Sequence, residues 1–148
     1  MSLFEQVAAD IKSAMLAKEK EKLQSLRAIK AAFMLEKTKS GHGDVSEEEA
    51  LNIIQKLIKQ RKDAAQTYVD GGREDLAQNE LSEVKFIEVY LPAQLSPQEL
   101  NDAIQEIISR VGAQTMKEMG KVMGIASKEL SGKAEGKAIA QKVKELLA

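Results

Sequence analysis

Both prolines of this 148-residue chain fall inside one six-residue window, in the stretch YLPAQLSPQEL. Pro92 must end the helix before it, because a proline ring pushes the preceding residue out of the αR region. Ser96 then reads as the N-cap of the next helix, with Glu99 three residues on. Pro97 sits in its first turn, where no amide donor is lost. The window therefore divides the chain into an N-terminal helical hairpin domain, residues 1–91, and a smaller C-terminal three-helix domain, residues 92–148.

The rest of the chain reads as all-α. Hydrophobic residues make up 43% and charged residues 30% of the sequence, while aromatics reach only 3%, a balance that favours helices built from Ala, Glu, Lys and Leu. Ser2–Glu5, Ser46–Glu49, Ser96–Glu99 and Thr115–Glu118 have the spacing of capping boxes. Phe4, Val7, Ile11 and Met15 keep helical spacing after the first of them, and Leu26, Ile29 and Phe33 continue it in a second helix. Leu51, Ile54, Ile58, Ala65 and Tyr68 mark a long third helix, closed by Gly71 and Gly72, and a fourth covers residues 73–90. Helices are expected over Pro97–Val111, 115–130 and 135–147, joined at Gly112 and Gly132. No stretch alternates as a strand does.

Several kinds of chemistry are excluded at once. The chain has no cysteine, so it has neither disulfides nor thiolate chemistry. His42, the only histidine, lies in the glycine loop KSGHGD and reads as inert. No nucleophile–base pair, metal-ligand set or cofactor motif can be assembled, so no catalytic residue, metal site or cofactor is expected. No apolar run reaches the length of a membrane span, and MSLFEQVAADIK lacks a signal-peptide core. No membrane partner and a cytoplasmic location are the expectations.

The most informative stretch is MGKVMGIASKELSGKAEGKAIAQKVKELL. Its SGKAEGKA run imitates a phosphate-binding loop, but Ser131 stands where the first glycine belongs and Ala138 where the metal-binding hydroxyl belongs. On the sixth helix, Met116, Met119, Met123, Ala126 and Leu130 form an apolar stripe that reads as core. Lys117, Lys121, Gly124 and Lys128 follow i, i+4, i+7, i+11 spacing on the opposite face. Glycine inside a helix costs about 1 kcal/mol relative to alanine, so Gly120 and Gly124 call for a reason such as close approach of another backbone. Gly132 reads as a left-handed C-cap, and Lys133 and Lys137 flank the start of the last helix, whose free amides favour an anion. Residues 115–148 carry 7 basic and 4 acidic side chains, against 14 and 16 in residues 1–91. A solvated lysine face with ordinary caps accounts for the same pattern.

Taken in order, QRKDAAQTYVDGGREDLAQNE, YLPAQLS, MGKVMG and SGKAEGK resemble the GatB/YqeY family over essentially the whole chain. The resemblance implies helical hairpins followed by a small helical domain similar to the tail of the GatB subunit of tRNA-dependent amidotransferase. That enzyme is a carbon–nitrogen ligase with glutamine as amide donor, and its tail helps hold the tRNA while catalysis occurs elsewhere. By position, the implied RNA contacts are Lys117, Lys121, Lys128, Gly132, Lys133 and Lys137, with Gly120 and Gly124 allowing close approach. The expectation is a non-catalytic module that binds tRNA or another structured RNA. Two alternatives remain open: an accessory subunit that reaches amidotransferase subunits through protein contacts, and a helical protein-interaction adaptor.

Overall fold

The computed structural model describes residues 1–41 and 43–148, so the reading of His42 lies outside the described residues. Among the described residues the regular structure is entirely helical: α1 Leu3–Leu16, α2 Lys20–Ser40, α3 Glu47–Asp70, α4 Glu74–Glu88, α5 Pro97–Val111, α6 Met119–Glu129 and α7 Gly136–Leu147. A 3-10 turn, Met116–Glu118, precedes α6. The expected helix over 115–130 is thus interrupted at its start. The chain divides into two compact units, Met1–Leu91 and Pro92–Ala148.

Local chemistry explains the boundaries. Ser2, Ser46 and Ser96 each accept a hydrogen bond from the amide three residues on, and at Ser46 and Ser96 the glutamate bonds back to complete a capping box. Thr115 departs from this pattern: Glu118 reaches the Gln114 amide instead. Three helices end in one and the same Schellman geometry, with paired 6→1 and 5→2 bonds, at Lys18, Gly72 and Gly112. All three residues have left-handed φ, between 58° and 77°. Glycine takes that conformation without penalty; Lys18 does not. This turn makes the break between α1 and α2, which the periodicity marks only weakly.

In the first unit α1 packs beside α2 and α3 beside α4, with α2 also against α3 and α4. Val7, Leu26, Ile29, Phe33, Ile54 and Ile87 fill its core. Met15 points outward at 53% exposure, because Ala14 takes the inward place on α1. The Tyr90 hydroxyl donates to Asp10 Oδ2 at 2.5 Å, tying the end of the unit back to α1. Arg61 joins α3 to α4 by a 2.9 Å bond to Glu83 and also donates to the Leu57 carbonyl.

The second unit closes over its own core. Leu100, Ile104 and Ile107 come from α5, Val122 and Ala126 from α6, and Ile139 and Val143 from α7. The apolar stripe of α6 is shifted from the expected one. Val122 and Ala126 are its buried spine, Met119 and Met123 only pack against it, and Met116 is 40% exposed.

Candidate nucleic-acid interface

With Val122 and Ala126 buried, helical geometry turns Lys121, Gly124 and Lys128 to the opposite, solvent-facing side of α6. Lys117 stands just ahead of them on the 3-10 turn. Lys133 and Lys137 are exposed at the turn into α7 and in its first turn. The six-residue set proposed from the sequence therefore keeps its five lysines at the surface.

Gly132 behaves differently. It is buried, with φ of +76°, so its part here is to shape the loop. Its carbonyl accepts a 2.6 Å hydrogen bond from Gln94 Nε2, which also donates to the Pro92 carbonyl at 2.8 Å. Beside it, the Leu95 amide donates to the Lys133 carbonyl at 2.9 Å. The segment after Leu91 is thus fastened to the loop between α6 and α7. Sequence reading missed Gln94, because its partner lies 38 residues away. The only local sign was that YLPAQLS and SGKAEGK both stood out as unusual.

The glycines answer the question raised by their helical positions. A Cβ built on Gly120 or Gly124 would meet nothing within 4 Å. Among the described residues, no element uses the close approach they permit. The strip they leave is open to solvent, between lysines.

Charge on this surface is set by pairing elsewhere. Arg110 at the end of α5 binds Glu106 at 2.6 Å and reaches across to Glu129 of α6 with two 3.0 Å bonds. These bonds hold the Glu106 carboxyl below its usual range and raise the Arg110 guanidinium further. Glu129, the one carboxylate within α6, is thereby taken up. Lys142 pairs with Glu145 at 3.0 Å. Among the described residues Lys117, Lys121, Lys128, Lys133 and Lys137 make no ion pair, so their charge faces solvent unneutralised. At the start of α7, Glu135 gives no side-chain cap, and the first turn contains no acidic residue. A shallow groove of about 420 Å³ adjoins this end, with Leu95, Pro97, Leu100 and Ala138 in its walls and Lys133 and Glu135 at polar positions.

Among the described residues no group of three or more His, Asp and Glu side chains could hold a metal ion, and no helix is long and apolar enough to cross a membrane.

These features define an all-helical, two-unit protein whose C-terminal three-helix unit carries an unpaired lysine face around open glycines. The family described as "Yqey-like protein" matches residues 4–147, and the chain belongs to that family. It is 33% identical over 102 residues to "Altered inheritance of mitochondria protein 41, mitochondrial" of Vanderwaltozyma polyspora, a match covering 68% of this chain and 55% of the relative. The protein of the same name in Kluyveromyces lactis is 34% identical over 84 residues, 57% of this chain and 45% of that one. In Pyrenophora tritici-repentis the identity is 24% over 143 residues, covering 94% and 77%. The chain spans about half the length of the first two relatives. Their names correct the cytoplasmic expectation, since each is called mitochondrial. That expectation rested on the absence of membrane-length or signal-like apolar segments, which says nothing of the compartment.

Proposed function

We propose that the C-terminal unit binds the sugar–phosphate backbone of a structured RNA, with tRNA as the first candidate, and makes or breaks no bond itself. The observation that carries this reading is the outer face of α6. Two exposed lysines without ion pairs bracket an open helical glycine, while Arg110 pairs with Glu129, the carboxylate within α6. A phosphate backbone needs dispersed positive charge and room to approach, and both are present. The unit carries no tryptophan, tyrosine or phenylalanine, so stacking on bases is not available and recognition rests on backbone and shape. Resemblance to the amidotransferase tail selects tRNA among structured RNAs.

The test is binding of bulk tRNA across a salt series by wild-type protein and by a Lys121→Glu/Lys137→Glu variant. Five lysine–phosphate contacts give a slope of log K against log salt of roughly −3.5 to −4.5. The variant should bind weakly and show a shallower slope. No binding at about 50 mM salt, or equal binding by the variant, would sink the proposal. RNA-independent co-purification with amidotransferase subunits would instead support the accessory-subunit alternative.

A further inference from the structure

The lysines of α6 are held by a helix, but Lys133 lies in the turn between α6 and α7 and needs another anchor. Within the turn, the Lys133 amide donates to the Leu130 carbonyl at 3.0 Å. Further bonds to residues 132 and 133 come from residues 94 and 95. Gln94 Nε2 donates at once to the Gly132 and Pro92 carbonyls, and the Leu95 amide donates to the Lys133 carbonyl. Gly132 is buried in a left-handed conformation that other residues adopt only at a cost, so the turn has a defined shape to hold. We infer that Gln94 is a positioning residue: its carboxamide latches the segment 92–95 onto the Gly132–Lys133 turn and so fixes Lys133 for phosphate contact. The inference rests on the RNA-binding reading above and extends it to a residue that carries no charge.

Chemistry limits what can take its place. The site needs a donor group with at least two N–H bonds to serve two carbonyl oxygens at once, and the glutamine carboxamide supplies them without adding charge. A glutamate would set a carboxylate against both carbonyls. Methionine keeps the length and flexibility of glutamine, adds no charge and removes both bonds.

The experiment is a double-mutant cycle on full-length protein, read as bulk-tRNA affinity and salt slope for wild type, Gln94→Met, Lys133→Ala and the pair. Lys133→Ala should lower the magnitude of the slope by about 0.7–0.9, the loss of one phosphate contact. Gln94→Met should weaken binding by about threefold to tenfold, the worth of a net hydrogen bond, and should flatten the slope in the same direction. In the double variant Gln94→Met should add little, because the lysine it positions is already gone. Circular dichroism and thermal melting confirm that each variant is folded at the assay temperature. A merely structural role would move the melting temperature and leave the slope of the folded protein unchanged, and that result overturns the inference. Additive effects in the cycle overturn it too. Failure of the RNA-binding reading has a different signature: wild type does not bind, or Lys121→Glu/Lys137→Glu binds as well as wild type.

Discussion

Replacing Gly120 and Gly124 with alanine should make this protein more stable and a poorer RNA binder. A Cβ at either position would meet nothing within 4 Å, and neither glycine has a positive φ, so the methyl groups fit without strain. Gly124 lies mid-helix in α6, where alanine is favoured by about 1 kcal/mol. Gly120 is in the first turn, where roughly half of that applies. The pair should therefore stabilise the unit by about 1–2 kcal/mol, and each kcal/mol should raise the melting temperature by about 4–8 °C for a domain of this size. On the binding side, two methyls hold a phosphate strand about 2 Å further from the lysines. Moving a charge pair from about 4 to about 6 Å costs roughly 0.3 kcal/mol at the dielectric of water and roughly 1.4 kcal/mol at an effective dielectric of 20. Affinity should fall about twofold to tenfold for each lysine–phosphate contact so displaced. Differential scanning calorimetry and tRNA binding at fixed salt measure the two effects on the same samples. A variant that is more stable and binds as tightly as wild type would refute the idea that the open strip admits a strand. A less stable variant would refute the packing described for α6.

Lys18→Gly should stabilise the first unit by about 0.5–1 kcal/mol in denaturant unfolding, because Lys18 occupies the same left-handed Schellman position as Gly72 and Gly112. The Lys18 side chain forms no ion pair among the described residues, so the only offset is glycine's greater freedom in the unfolded chain. Tyr90→Phe should cost about 1–3 kcal/mol by the same assay, since it strips the half-buried Asp10 carboxylate of its hydroxyl donor. In wild type, burial and then the bond to Asp10 push the Tyr90 hydroxyl well above its ordinary pKa, so phenolate absorbance should not develop at pH 10 for this residue. Acid should weaken the second unit. Ser96 depresses the Glu99 pKa and Arg110 that of Glu106, both from the ordinary 4.5. A depressed carboxylate contributes stability above its unfolded value and loses it as pH falls through the folded one. Acid unfolding followed by circular dichroism should thus steepen below about pH 4.5, and the double variant Glu99→Gln/Glu106→Gln should be flatter there. Equal curves would remove both carboxylates from the account.

Sequence by itself determined the features of this protein whose physics is local. A serine three residues before a glutamate, a proline that displaces its neighbour and a glycine at a helix end act over one turn of chain. The caps at Ser46 and Ser96, the bounds of α5, the helix ends at Gly72 and Gly112 and the left-handed turn at Gly132 were therefore legible, as were an all-helical fold and the membership of a family. Helical spacing likewise placed Lys121, Gly124 and Lys128 on one face. Periodicity failed where neighbours chose between two apolar side chains: Ala14 went inward and Met15 outward, and Val122 displaced the methionines from the centre of the α6 stripe. Those outcomes depend on how much room the facing helices leave.

Tertiary structure alone decided the electrostatics and the shape of the candidate site. Arg110 removes Glu129 from the balance of the α6 surface across 19 residues of chain, and Gln94 holds Gly132 across 38. No spacing rule reaches that far. A lysine is a potential phosphate contact in any sequence, but whether its charge is free depends on which carboxylates the folded chain has already paired. The glycines follow the same logic. Their lack of a side chain was visible from the start, whereas the empty space above them exists only once every neighbouring helix has found its place.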